Sequence, residues 1–344
     1  MGTEFNVTFL VAARDNLRCG VVDYTHRLSE SLATIGITSS IINVGRWDSH
    51  TICRLKKAIT IPKGIFHLQY PTVSAGRSIL PSLLPSISGG SYGHIVTFHE
   101  FGAFNWLRKY AISSFALLPD AVVFTNGQEQ GTFLRTYPFS RVRREIIPIG
   151  SNIIPSAMRL TRTFEYECIL FSQLRPRRGV EKFFEFATTL RQQGYGGKLG
   201  CFGAFVSGDE SFERWVRDQA EAWGVDLRIN ESDSAISSLL WKSRSAYLPF
   251  LDGISEKRGS VLACLTHSVQ ILSPHTDASP AWLCNCSIDA QTPLEAAEHF
   301  LIMSRSGFPA YSASPELLSE IKCREWPEIA RQHRALYERT LAGL

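Results

Sequence analysis

The chain has 344 residues, long for a single core and the natural length of about two domains. Apolar residues make up 44% and charged residues 20%, which excludes a disordered chain, and no run approaches the ~18–20 uncharged apolar residues of a membrane span. The net charge of +4 is uneven: residues 1–150 hold 15 Lys and Arg against 9 Asp and Glu, and the remainder hold 21 against 23. A basic first half points to anionic partners such as a lipid phosphate or a membrane surface. The excess is too small for nucleic acid, and no DNA- or RNA-binding motif is present.

The eight cysteines (19, 53, 168, 201, 264, 284, 286, 323) are scattered. Only Cys284 and Cys286 are close, and no second pair has zinc-ligand spacing, so reduced thiols and no metal site are expected. Met1–Phe5 run into a short strand rather than a charged start and a long apolar region, which argues against a secretory signal. A cytoplasmic protein is the expectation.

Asn6–Ala12 reads as a buried strand. Val22–Ile35 reads as a helix, with apolar residues at 24, 28, 32 and 35 and Gly36 as its stop. Strands follow at Thr38–Val44, Ile65–Tyr70, Ile95–His99, Ala121–Thr125 and Ile146–Ile147. After a proline-marked link near Pro148–Pro155 the pattern restarts. Cys168–Ser172 is a strand, Glu181–Gln193 a helix, Lys198–Phe202 a strand and Phe212–Trp223 a helix. Leu227–Ile229, Ala246–Leu248 and Ser268–Leu272 are further strands, and Glu325–Leu344 is an amphipathic tail.

Such β–α alternation predicts parallel sheets with helices on both faces. Two runs of it predict an α/β protein of two Rossmann-like, doubly wound domains facing a cleft. The expected boundaries are 1–153, 154–324 and a terminal helix, 325–344, that packs back on the first domain. Ligands in such sheets sit beyond the carboxyl ends of the strands, so function is expected in the loops after Ala12, His99, Ser172 and Pro249.

Those loops carry chemistry. Cys19-Gly20 precedes a helix start, where a residue without Cβ lets backbone come close to a ligand. His99-Glu100 ends a strand. Gln173 to Gly179 brings Arg175, Arg177 and Arg178 to a helix start. Pro249 to Ser260 runs through the turn pair Asp252-Gly253, Ser255 and Glu256-Lys257-Arg258 to Gly259-Ser260, another helix start. Helix N-termini and cations together attract anions, a phosphate-bearing ligand above all.

Taken in order, these loops resemble the retaining glycosyltransferases of the GT-B fold, in particular family 4. Cys19-Gly20-Val21 with Tyr24 is similar to that family's G-G-(I/V)-x-x-(Y/H), and Phe171–Gly179 to its F-x-G-x-L-x-P-x-K-G, with Arg178 at the lysine. Ile147-Pro148-Ile149-Gly150 resembles I-P-N-G before the interdomain link. Pro249–His267 resembles the subgroup pattern P-F-x-D-G-(V/I)-S-x-R-R-G-S…A-L-A-H-G, and Trp326–Tyr337 the closing helix.

The resemblance implies transfer of a sugar, with retention, from a nucleotide-diphosphate sugar to a saccharide or polyprenyl-diphosphate-linked acceptor. It implies no metal and no cofactor beyond that donor, and a role in bacterial surface polysaccharide or glycoconjugate synthesis. Arg178, Arg175 and Arg258 would hold the departing diphosphate, with Gln173, Gly259 and Ser260 beside it and Gly20 approaching from the first domain. His99 would contact the transferred sugar, with Glu100 next to it as the other catalytic candidate. Asp252, Gly253 and Ser255 would line the donor sugar.

One departure stands out. The family's two glutamates, eight residues apart, would fall at Ser255 and Ala263, and neither is a carboxylate. That leaves room for a nucleotide-sugar-binding partner protein without catalysis, or for an epimerase or hydrolase of the same fold. Phe104–Leu118, with Arg108-Lys109, reads either as a core helix with a snorkelling basic pair or as an amphipathic helix touching anionic lipid. Arg141–Arg144 adds a basic cluster in the same domain.

Overall fold

The computed structural model describes residues 5–12, 19–45, 47–48, 50–51, 55, 64–72, 78–88, 92–155, 162–205, 208–308 and 314–343. They divide into two compact units, Met1–Gly150 with Cys323–Leu344, and Ser151–Lys322.

The first unit contains β1 (Asn6–Val11), α1 (Gly20–Thr34), β2 (Thr38–Asn43), β3 (Gly64–Tyr70), α2 (Leu84–Ser88), β4 (Tyr92–Phe98), α3 (Trp106–Ala111), β5 (Ala121–Phe124), α4 (Gly127–Thr136) and β6 (Arg143–Ile146). Its strands form one parallel sheet in the order β2-β1-β3-β4-β5-β6. β1, β3, β4 and β5 read as near-continuous apolar runs because both faces are covered. One face carries an aromatic core of Tyr70, Phe98, Phe101, Phe115, Phe124, Phe133 and Tyr137.

The second unit contains β7 (Tyr166–Leu174), α5 (Val180–Gln192), β8 (Leu199–Phe205), α6 (Glu210–Ala222), β9 (Val225–Ile229), α7 (Asp233–Trp241), β10 (Ser243–Tyr247), α8 (Gly259–Thr266), β11 (Gln270–Ser273), α9 (Ala281–Cys286), β12 (Ser287–Asp289), α10 (Pro293–Ser306) and α11 (Pro315–Cys323). Its parallel sheet has the order β12-β11-β10-β7-β8-β9. The final helix, α12 (Trp326–Leu341), returns to the first unit. There Trp326, Ile329, Ala330, Leu336 and Tyr337 pack with Tyr24, Leu28 and Leu32 of α1 and with Val7, Phe9, Ile65, Ile95 and Val123 of the sheet. The expected two-sheet α/β architecture with a returning terminal helix is therefore what the chain adopts.

Some elements differ from their sequence reading. The sixth strand is Arg143–Ile146, two exposed or half-buried arginines included, because its pairing with Ala121–Phe124 decides the span rather than its apolar content. The strand expected from Ser268 begins at Gln270: Ser268 has φ 53, and Val269 donates back to Cys264 O, a helix C-terminal motif. The edge strand Ser287-Ile288-Asp289 has no apolar run to announce it.

Phe104–Leu118 is not a core helix. α3 lasts six residues, capped by Asn105 Oδ1 accepting from Arg108 N at 2.8 Å, and none of its residues is buried. Its basic pair turns inward: Arg108 donates to the Tyr70 hydroxyl and to Ser78 O, and the Lys109 ammonium sits over the Phe101 ring. No helix among the described residues is long and apolar enough to cross a membrane.

Candidate active site

In the second sheet β7 and β10 are neighbours, and from them the chain winds outward to β8 and β9 on one side and to β11 and β12 on the other. The loops that leave their carboxyl ends therefore diverge, and the crevice between such loops is where doubly wound sheets take ligands. The two loops are Arg175–Gly179, leading to α5, and Leu248–Arg258, leading to α8.

They meet at Gly179. This glycine is the N-cap of α5 with φ 88, and a Cβ on it would lie 2.7 Å from Pro249 O and 2.8 Å from Pro249 Cγ. Neither α5 nor α8 has a side-chain cap, since the cap positions are Gly179 and Arg258. Both helices thus begin with backbone N–H groups available to another acceptor. Arg175 and Arg178 are half-buried and Arg177 is exposed, at φ 62, with its backbone N donating to Glu181 Oε1 at 3.1 Å. Gln173 is exposed near the end of β7, opposite Ala204 of β8.

The second loop is tightly built. Phe250 is buried beneath the Arg258 guanidinium, whose Cζ lies 4.5 Å from the ring centroid. Arg258 also donates to Asp252 Oδ1 in an ion pair. Gly253 has φ 82, and a Cβ there would lie 2.6 Å from Thr276 Oγ1. Ile254 N donates to Pro274 O at 2.8 Å, and Thr276 Oγ1 donates to Asp252 O at 3.4 Å. Ser255 O accepts from Arg258 N at 3.1 Å, its hydroxyl accepts from Lys257 N at 3.3 Å, and Gly259 and Ser260 open α8.

The structure thus brings Arg175, Arg178, Asp252, Gly253, Ser255, Arg258, Gly259 and Ser260 to the carboxyl end of one sheet. It also recruits a third loop, Pro274–Ser279 after β11, which the sequence reading passed over. The available signal was its place: the next strand-to-helix joint of the same alternation. Of the family's two glutamate positions, Ser255 is half-buried and Ala263 is buried inside α8, so the carboxylates on this loop are those of Asp252 and Glu256.

In the first unit His99 follows β4. It is buried, its Nε2–H donates to Gln69 Oε1 at 2.8 Å, and its ring meets that of Tyr24 edge-on at 5.1 Å. The Tyr24 of the first-loop motif and His99 are therefore neighbours. Burial pushes the His99 imidazole down to about 3, so at neutral pH it is an uncharged hydrogen-bonding group. Glu100 is exposed and makes no side-chain cap bond, and Gly20 opens α1 with no atom within 4 Å of where a Cβ would stand. Most of the loop after β1 (13–18) lies outside the described residues.

Behind His99 lies a buried polar layer that sequence reasoning missed. His67 Nδ1 is 2.7 Å from the Tyr337 hydroxyl, His67 Nε2 is 2.7 Å from Thr97 Oγ1, and His333 Nε2 is 3.1 Å from the Tyr24 hydroxyl. Burial lowers His333 to about 3 and His67 well below the usual range, and the three imidazoles further disfavour one another's charge. The four elements involved, α1, β3, β4 and α12, are far apart in sequence. Among the described residues no group of His, Cys, Asp and Glu is arranged to hold a metal ion.

The arrangement in the second unit can stabilise a diphosphate. A charge-assisted bond from arginine contributes ~1.5–3 kcal/mol and a helix N-terminus ~0.3–1 kcal/mol. Two helix starts without side-chain caps lie there, and the loops that lead to them carry Arg175, Arg178 and Arg258.

No family model matches the sequence, and no curated protein matches it. Solved structures match over nearly the whole chain. Anabaena HepE, crystallised with UDP and glucose, aligns with a TM-score of 0.70 at 12% identity, covering 99% of this chain and 100% of its own. A glycosyltransferase from Rickettsia africae aligns at 0.72 and 14% identity, covering 99% of each chain. The pneumococcal O-GlcNAc transferase GtfA, crystallised with UDP and GlcNAc, aligns at 0.73 and 7% identity, covering 99% of this chain and 100% of that one. The chain therefore has the fold of the GT-B glycosyltransferases, with one Rossmann-like unit in each half.

Proposed function

We propose that the protein is a glycosyltransferase that takes a sugar from a nucleotide-diphosphate donor and passes it to a saccharide or polyprenyl-diphosphate-linked acceptor with retention, as family 4 enzymes do, without a metal. One observation supports the reading: in a chain of GT-B fold, the two arginine-bearing loops that lead to uncapped helix starts touch, Gly179 against Pro249, at the switch point of the second sheet. HepE and GtfA, which share the fold, were crystallised with UDP and a sugar, which supports a nucleoside diphosphate as the anion.

In this reading α5, α8, Arg175, Arg178 and Arg258 hold the diphosphate as charge builds on it. The acceptor oxygen attacks the anomeric carbon from the leaving-group face. The bond from that carbon to the diphosphate oxygen breaks, and the acceptor's proton passes to that oxygen. Asp252, Ser255 and the Thr276 loop line the donor sugar.

Titration calorimetry with UDP, GDP and their sugar conjugates, followed by nucleotide-release assays with and without oligosaccharide acceptors, tests it. Binding with acceptor-dependent release is expected. Arg178→Ala is expected to weaken nucleotide binding roughly tenfold or more, the loss of one charge-assisted bond. Unchanged affinity in that variant would remove Arg178 from the diphosphate.

The absence of carboxylates at Ser255 and Ala263 favours a second reading, a nucleotide-sugar-binding protein without transfer. Binding with no release under any acceptor would establish it, and release independent of acceptor would mark a hydrolase.

A further inference from the structure

The inward turn of Arg108 and Lys109 leaves the apolar side chains of α3 facing out. Trp106 is 74% exposed, Tyr110 77% and Leu107 58%. The chain then buries Ile112, Phe115 and Ala116 and turns Leu117 out again, 63% exposed. The loop before β6 is laced alongside: the Tyr137 hydroxyl donates to Lys109 O, and Ser140 Oγ donates to Ala116 O at 2.8 Å. That loop presents Phe139, 55% exposed, whose ring lies 6.0 Å from that of Tyr137. Five large apolar side chains thus share one stretch of surface. Scattered single exposures are ordinary, but a cluster of this kind marks a contact site.

The segment that carries it is mainly positive. Residues 104–144 hold six Lys and Arg against two Asp and Glu. One of the two acids, Glu129, is buried and accepts from Gly102 N at 2.6 Å. The other, Asp120, accepts from His94 N at 2.7 Å. Arg135, Arg141 and Arg143 are exposed, and Arg141 follows Phe139 by two residues.

A second copy of the chain docking symmetrically would set this basic rim against itself, which like-charge repulsion disfavours. An anionic bilayer offers what the patch lacks: headgroup-level space for Trp and Tyr rings, acyl boundary for Leu and Phe, and negative charge for the arginines.

We propose that the surface formed by α3, Leu117-Leu118 and residues 138–143 docks on an anionic lipid surface. The proposal goes beyond the nucleotide-sugar reading and is tested without nucleotide, so either can fail alone.

The test is co-sedimentation of the full chain with phosphatidylcholine vesicles and with vesicles of phosphatidylcholine and phosphatidylglycerol. Sedimentation with the anionic vesicles, reversed by salt, is expected. The double variant Trp106→Ser/Tyr110→Ser is expected to lower partition by at least about tenfold, the loss of two side chains from an apolar boundary. Arg141→Glu/Arg143→Glu is expected to lower it comparably, and decides the matter if the first variant does not fold. No binding to anionic vesicles, or binding untouched by both folded variants, overturns the proposal. So does a wild-type dimer that the patch variants dissociate without any vesicle binding.

Discussion

The α-carbon of Gly179 faces Pro249 so closely that a methyl group there would lie 2.7 Å from the proline's carbonyl oxygen. This contact joins the loop after β7 to the loop after β10. Gly179→Ala carries two costs, a left-handed backbone at φ 88 and the overlap itself. A loss of about 2–4 kcal/mol in urea unfolding is expected, with weaker nucleotide binding. A variant as stable as wild type would mean that the two loops do not touch there.

Arg258 is held between Phe250 and Asp252, so its guanidinium is aimed before any ligand arrives. Arg258→Lys keeps the charge but loses the planar stack and the fork. Calorimetry should therefore show nucleoside-diphosphate affinity falling in Arg258→Lys and falling further in Arg258→Ala. Equal affinities for wild type and alanine variant would place Arg258 outside the site.

The buried histidines predict acid sensitivity. In the unfolded chain they take a proton near pH 6.5, whereas His99 and His333 in the folded protein do so only near 3. Between those values the unfolded state binds more protons, so stability is complete above about pH 6.5 and falls as pH drops toward 3. The slope is roughly 1.4 kcal/mol per pH unit for each such histidine. Urea titrations from pH 7 to 5, above the carboxylate range, should show it, and His333→Gln should flatten it. A flat wild-type profile over that window would contradict the buried, neutral assignment.

Tyr337→Phe removes only the hydroxyl that meets His67 Nδ1. The ring stays packed, but a buried imidazole nitrogen loses its partner, at about 1–3 kcal/mol. Equilibrium unfolding gives the figure directly, and a neutral substitution would show that the nitrogen finds another partner.

Much of this protein was readable from short-range pattern. Apolar runs, helical spacing and turn residues are local properties, and from them came the alternation, the two-sheet architecture and the loops at Gly20, His99, Arg175–Gly179 and Pro249–Ser260. What local pattern does not contain is which strands become neighbours. Strand order set β7 beside β10, and only that pairing made Gly179 meet Pro249 and drew the Thr276 loop against Gly253. The same holds for His67, His99 and His333, brought into one layer from β3, the end of β4 and α12 by packing across long sequence separations. The direction of a six-residue helix was likewise undecided by sequence. Whether Trp106 or Arg108 faces inward depends on what lies beneath, and the Tyr70 hydroxyl beneath α3 took the arginine and left the tryptophan outside.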